Sequence, residues 1–156
     1  TGNPSPGNIE GGITTLEEKA LGCTQKGGRA KVNGVLEYGT PIVNSGFNLL
    51  WAPGSDTAGT TALGLCCQIV LFTTGRGTPY GGFVPTVKVA TNTTMYNRKK
   101  SWNDFNAGVI VEENSSMNNV LDEFVELIID IASGKLTRAE ENGSKEFVIW
   151  KNGISE

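Results

Sequence analysis

The chain has 156 residues, 38% of them hydrophobic and 19% charged, which is enough to bury one core and ordinary for a soluble globular domain. Its formal charge is −3 and its cations are scattered apart from Arg98, Lys99 and Lys100, so no basic face for nucleic acid is expected, and no stretch approaches the roughly 18 apolar residues of a membrane span. Histidine is absent, which excludes Ser-His and Cys-His nucleophiles and His-containing zinc sites from this segment and leaves acid–base work to Asp, Glu, Lys, Tyr or Cys.

In chain order, residues 1–12 (TGNPSPGNIEGG) are rich in Gly, Pro and Asn and read as an extended lead-in to a single domain over 1–156, itself a piece of a longer protein. ITTLEEKALG, 13–22, has capping threonines, Glu17 and Glu18 in a first turn where the helix dipole favours carboxylates, and Gly22 to end the helix. VNGVLEYG, up to Gly39, reads as a strand or a turn of helix. FNLLWAP (47–53) and QIVLFTT (68–74) are short apolar runs of strand type, with a helix capped by Ser55 or Asp56 between them; together they predict a βαβ unit with a parallel strand pair. VPTVKVATN (84–92) alternates Val84, Thr86 and Lys88 against Pro85, Val87 and Val89 and predicts a strand with one polar-lined face; VIVEE (109–113) and FVIW (147–150) predict two more strands. Over 117–134, Val120, Leu121, Phe124, Leu127, Ile128 and Ile131 recur at helical spacing before Gly134. The sum is an α/β layered domain with a mainly parallel, Rossmann-like sheet flanked by helices. Cys23, Cys66 and Cys67, odd in number, point to a reducing, cytoplasmic setting, against which the Asn-x-Ser/Thr triplets at Asn92, Asn114 and Asn142 read as chance. Trp51, Trp102 and Trp150 serve a core or an interface.

GRGTPYGG, 75–82, resembles two phosphate loops and fits neither. Gly75, Gly77 and Gly81 are one residue too widely spaced for a dinucleotide fingerprint, the loop leads to a strand rather than a helix, and the Gly-Lys-Ser/Thr of a P-loop is missing, so no nucleotide is expected. What remains is a polar loop at the carboxyl end of a buried strand, the usual ligand edge of an open α/β sheet. Arg76 offers a fork for a carboxylate, Thr73, Thr74 and Thr78 offer hydroxyls, and the bland alternative is a turn tethered by its arginine. Glu17, Glu18 and Lys19 form a second constellation suited to proton transfer or hard-metal support, or else a solvated first turn. Asp56 is a cap or a site residue, and Asp104 and Asn106 in WNDFNAG bind sugar hydroxyls or form a turn.

NPSPGNIEGGITTLEEKALGCTQKGG (3–28), NLLWAPGSDTAGTTAL (48–63), VLFTTGRGTPYGGFVPTVKVATN (70–92) and WNDFNAG (102–108) resemble, in register, the C-terminal region of the altronate and galactarate dehydratases. The resemblance implies a cytoplasmic sugar-acid hydro-lyase that converts an aldonate or aldarate to a 2-keto-3-deoxy acid with a divalent metal, Fe(II) or Mn(II), whose main ligands lie upstream of this segment. It implies partnership with the upstream domains of the same protein and inactivity of the fragment alone, and it leaves homo-oligomerisation open. Within it, Glu17, Glu18 and Lys19 are assigned to proton transfer or metal support, and Thr73, Thr74, Arg76, Thr78 and Asn106 to the substrate. The alternatives are the large-subunit domain of a sulfolactate sulfo-lyase and a non-catalytic module binding a sugar acid or nucleotide.

Overall fold

The computed structural model describes residues 3–53, 55–112 and 115–149. Asn114, Trp150 and the side chain of Cys23 lie outside the described residues. The chain divides into two compact units, one drawn from the residues up to Val35 and from Asn44–Leu49, the other from Leu36–Val43 and from Leu50 onward.

The first unit begins with a helix where an extended lead-in was expected. Helix α1 (Pro6–Glu10) forms because Ser5 and Asn8 close a reciprocal capping box and Pro6, already held near helical φ, occupies the first helical position. Helix α2 (Leu16–Lys26) starts at the N-cap Thr15, whose hydroxyl accepts from the Glu18 amide. It does not end at Gly22, which sits inside it with no atom close to its Cα face; it runs on to Gly27. Strand β1 (Val32–Leu36) realises the strand alternative for VNGVLEYG and pairs with β2 (Phe47–Leu50) in a two-stranded sheet.

The second unit is built on a separate three-stranded sheet, in which β4 (Thr86–Ala90) lies between β3 (Val70–Thr74) and β5 (Phe105–Asn106), all parallel. This bears out the α/β class with a parallel sheet but corrects the expected pairing: β2 and β3 do not join, because β2 is taken by β1 and β3 by β4. Helix α3 (Asp56–Gly64), capped by the Ser55 hydroxyl rather than by Asp56, packs on β3. The parallel crossover through a helix is instead β4, α4 (Thr93–Arg98), β5, with Asn92 capping α4.

Every residue of β4 is buried, as expected for the middle strand of a parallel sheet covered on both faces. The polar-lined face read from VPTVKVATN is therefore interior: Lys88 is 0% exposed. The described part of VIVEE, 109–112, forms not a strand but a short helix, α5 (Val109–Glu112), which continues directly from the Gly108 turn, Glu113 lying outside the described residues; in FVIW, 147–149 carry no regular structure. Helix α6 (Met117–Ala132) has the expected span and stops before Gly134, whose φ of 109° is open to glycine. Val120 and Ile131 are buried, and Phe124 stacks 4.9 Å from Phe105 of β5. Helix α7 (Arg138–Glu141) follows, held by a Thr137–Glu140 capping box and touching β4.

Candidate functional site at the carboxyl edge of the parallel sheet

Residues 75–85 carry β3 over to β4 without a helix, so the glycine-rich loop itself makes a crossover that parallel strands usually assign to one. Its shape is fixed from several sides. The Thr74 hydroxyl accepts from the Gly77 amide (3.0 Å), the Thr78 hydroxyl from the Tyr80 amide (3.2 Å), and Asn92 Nδ2 donates to the Gly75 carbonyl (2.9 Å). Lys99 Nζ donates to the Arg76 carbonyl (2.8 Å) while lying 4.6 Å from the centre of the Trp102 ring. Gly77 has φ of 75°, and a side chain there would meet Met95 and Lys99. A Cβ on Gly81 would stand 2.5 Å from the Ser144 carbonyl and 2.6 Å from Ala139, so only glycine lets the loop lie this close to α7.

The anchor beneath the loop is Lys88. Its ammonium donates to the Tyr80 carbonyl (2.9 Å) and the Thr78 carbonyl (3.2 Å) from inside the sheet layer. Its main chain is bonded on both sides to one residue: the Lys88 amide donates to Asp104 Oδ2 (2.7 Å), and the Asp104 amide to the Lys88 carbonyl (2.9 Å). Asp104 Oδ1 also accepts from the Arg138 amide (2.7 Å), tying α7 to the same point. Burial pushes the Lys88 ammonium below the ordinary lysine value, against the pull of Asp104 and Glu146. It pushes the Asp104 carboxyl up, against the Arg138 and Lys88 amides and the Lys88 and Arg138 charges. Reading Asp104 as a ligand for sugar hydroxyls is thus corrected: both its oxygens are committed to main-chain amides.

The expected substrate residues gather along one edge. Arg76 is exposed near the start of the loop, and its guanidinium has no ion-pair partner among the described residues. Thr74 and Thr78 brace the loop through their oxygens and keep their hydroxyl protons for other acceptors; Thr73, on β3, is exposed. Asn106 reaches the same edge, where its Nδ2 donates to Thr93 Oγ1 (3.2 Å) and its Oδ1 accepts from the Gly108 amide (3.1 Å). The roles of Lys88, Asn92 and Lys99 in holding this loop go beyond the sequence expectations. A lysine within a strand flanked by valines was the available signal, since in a parallel sheet both faces are covered and a charge there needs partners.

Glu17, Glu18 and Lys19 belong to the first unit. Glu18 is a capping residue, accepting from the Thr14 amide (2.8 Å) and hydroxyl (2.9 Å), and these bonds hold its carboxyl below its ordinary value. Lys19 Nζ donates to Asn3 Oδ1 (2.5 Å), and Glu17 is exposed, its carboxylate without a hydrogen-bond partner among the described residues. Among the described residues no group of three or more Cys, Asp and Glu side chains converges as a metal site, so these residues do not by themselves fit a divalent cation. Cys66 and Cys67 are free thiols, and among the described residues no helix is long and apolar enough to cross a membrane.

Residues 1–155 match the family model of the D-galactarate/altronate dehydratase C-terminal domain. The chain belongs to this family. It is 54% identical over 154 residues to the altronate dehydratase of Bacillus subtilis, covering 98% of this chain and 31% of that protein. It is 40% identical to the galactarate dehydratase (L-threo-forming) of Escherichia coli, over 85% of this chain and 26% of that one. To the beta subunit of a (2R)-sulfolactate sulfo-lyase from Chromohalobacter salexigens it is 33% identical, over 95% and 39%. The chain therefore spans well under half the length of the dehydratase-family relatives it matches.

Proposed function

We propose that this chain is the C-terminal domain of a cytoplasmic sugar-acid hydro-lyase acting on an aldonate such as altronate, and that its 75–82 loop binds the substrate carboxylate through Arg76. The observation that carries the reading is an exposed guanidinium without an ion-pair partner among the described residues, held by its own main chain on a loop braced along its length, at the ligand edge of a parallel sheet. The greater identity to an altronate dehydratase than to a galactarate dehydratase or a sulfo-lyase favours the aldonate.

The chemistry explains why such a loop is needed. Removing the proton at C2, beside a carboxylate, builds a second negative charge on the same carbon framework; the C3 hydroxyl then leaves as water on protonation, and the resulting enol tautomerises to the 2-keto-3-deoxy acid. A guanidinium paired bidentately with the carboxylate offsets the accumulating charge and orients the C2–H bond. Thr74 and Thr78 keep hydroxyl protons for substrate oxygens, with Thr73 and Asn106 along the same edge. Lys19, with Glu17 or Glu18, supplies proton transfer or supports the metal. Fe(II) or Mn(II) would be held by residues outside this chain, and the chain alone would not turn over substrate.

The test is an anaerobic assay of the full-length protein with added Fe(II) or Mn(II) against altronate, galactarate and sulfolactate. Release of a 2-keto-3-deoxy acid from altronate is expected. Sulfite release from sulfolactate would reassign the chain to the sulfo-lyases, and no turnover on any substrate would leave a non-catalytic binding module.

A further inference from the structure

Helix α6 carries more apolar surface than its own unit covers. Val120 and Ile131 are buried, yet Met117, Leu121, Val125 and Ile129 remain 60%, 53%, 47% and 58% exposed. These four recur every fourth residue and so form one continuous ridge, of the kind that interdigitates when helices pack. Asp122, Glu126 and Asp130 form the adjacent row at the same spacing, all exposed, and α6 contains no Lys or Arg. Of these carboxylates only Asp130 has an ion-pair partner among the described residues, Lys135 at 3.1 Å.

We propose that this ridge is the docking face for the upstream part of the same polypeptide, which meets it with an apolar strip flanked by Lys or Arg. Two observations select this occupant. The matched region is the C-terminal portion of relatives in which it makes up 31% and 26% of the length, so most of each such protein lies before it and is available to cover the ridge. The charge pattern disfavours a second copy: two α6 helices packed ridge to ridge in antiparallel order about a two-fold axis would set their acidic rows side by side. A row of four large apolar side chains left in water is in turn uncommon on a finished surface. The inference rests on family membership and not on the reaction, so a wrong substrate would leave it standing.

The experiment places a photo-crosslinker in the full-length protein as Val125→p-benzoylphenylalanine, with Glu123→p-benzoylphenylalanine, off the ridge, as control. Irradiation and peptide mapping should give an intramolecular crosslink from position 125 to an upstream segment containing Lys or Arg, with at least a tenfold lower yield from position 123. A crosslink between the α6 helices of two copies would overturn the proposal in favour of self-association. The absence of any crosslink from position 125, or equal yields from both positions, would overturn it by showing the ridge open to solvent.

Discussion

Arg76 lies in the loop that Lys88 anchors from β4, and replacing each should separate binding from folding. Arg76 is exposed, so Arg76→Ala should change stability by less than about 0.5 kcal/mol. Lys88→Met removes the donor to the buried Tyr80 carbonyl and the part-buried Thr78 carbonyl and relieves the burial of a charge, and the lost hydrogen bonds should dominate. A loss of about 1–3 kcal/mol in urea unfolding is expected, and an unchanged midpoint would refute the anchoring role. The pH dependence has a definite sign. The folded-state pKa of Lys88 lies below the ordinary 10.5, so the burial cost is fully present below the folded value and is relieved as pH rises towards 10.5. A neutral amine still has two N–H donors for the two carbonyls. Wild type should therefore gain stability relative to Lys88→Met across that window, and a gap that narrows with rising pH would contradict the assignment.

At the scale of elements, the two glycines to compare are Gly22 and Gly81. Gly22 lies inside α2 with open space where a Cβ would stand, so Gly22→Ala should stabilise the protein by about 0.5–1 kcal/mol. Gly81→Ala drives a methyl into the Ser144 carbonyl and Ala139 and should destabilise by about 1–3 kcal/mol; thermal melts of the two variants should move in opposite directions. The same contrast marks what the sequence made legible. Helix α6 was readable because its apolar spacing persists over four turns, and α3 and β3 because caps and apolar runs are local signals. The end of α2 was not, since a glycine inside a helix costs only about 1 kcal/mol, which neighbouring residues override. Strand pairing was not readable either, because FNLL and VLFTT look alike and only tertiary contacts send one to β1 and the other to β4. The loop with Arg76 stood out through its glycines, whereas Lys88 lay hidden in an alternation whose polar face proved to be interior.

For the whole molecule, the chain is a dehydratase-family C-terminal domain whose parallel sheet presents a fixed polar loop at one edge and whose α6 carries an exposed apolar ridge. Residues assigned to proton transfer, Glu17, Glu18 and Lys19, belong to a different compact unit from the loop, so the full-length protein is the object to assay. The most direct measurement is the steady-state kinetics of Arg76→Ala in the full-length enzyme with altronate. Loss of a charge-assisted hydrogen bond of about 1.5–3 kcal/mol predicts a fall in kcat/KM of about 10- to 150-fold, with little recovery in Arg76→Lys, which lacks the fork. Wild-type turnover with an unchanged KM in Arg76→Ala would contradict the account.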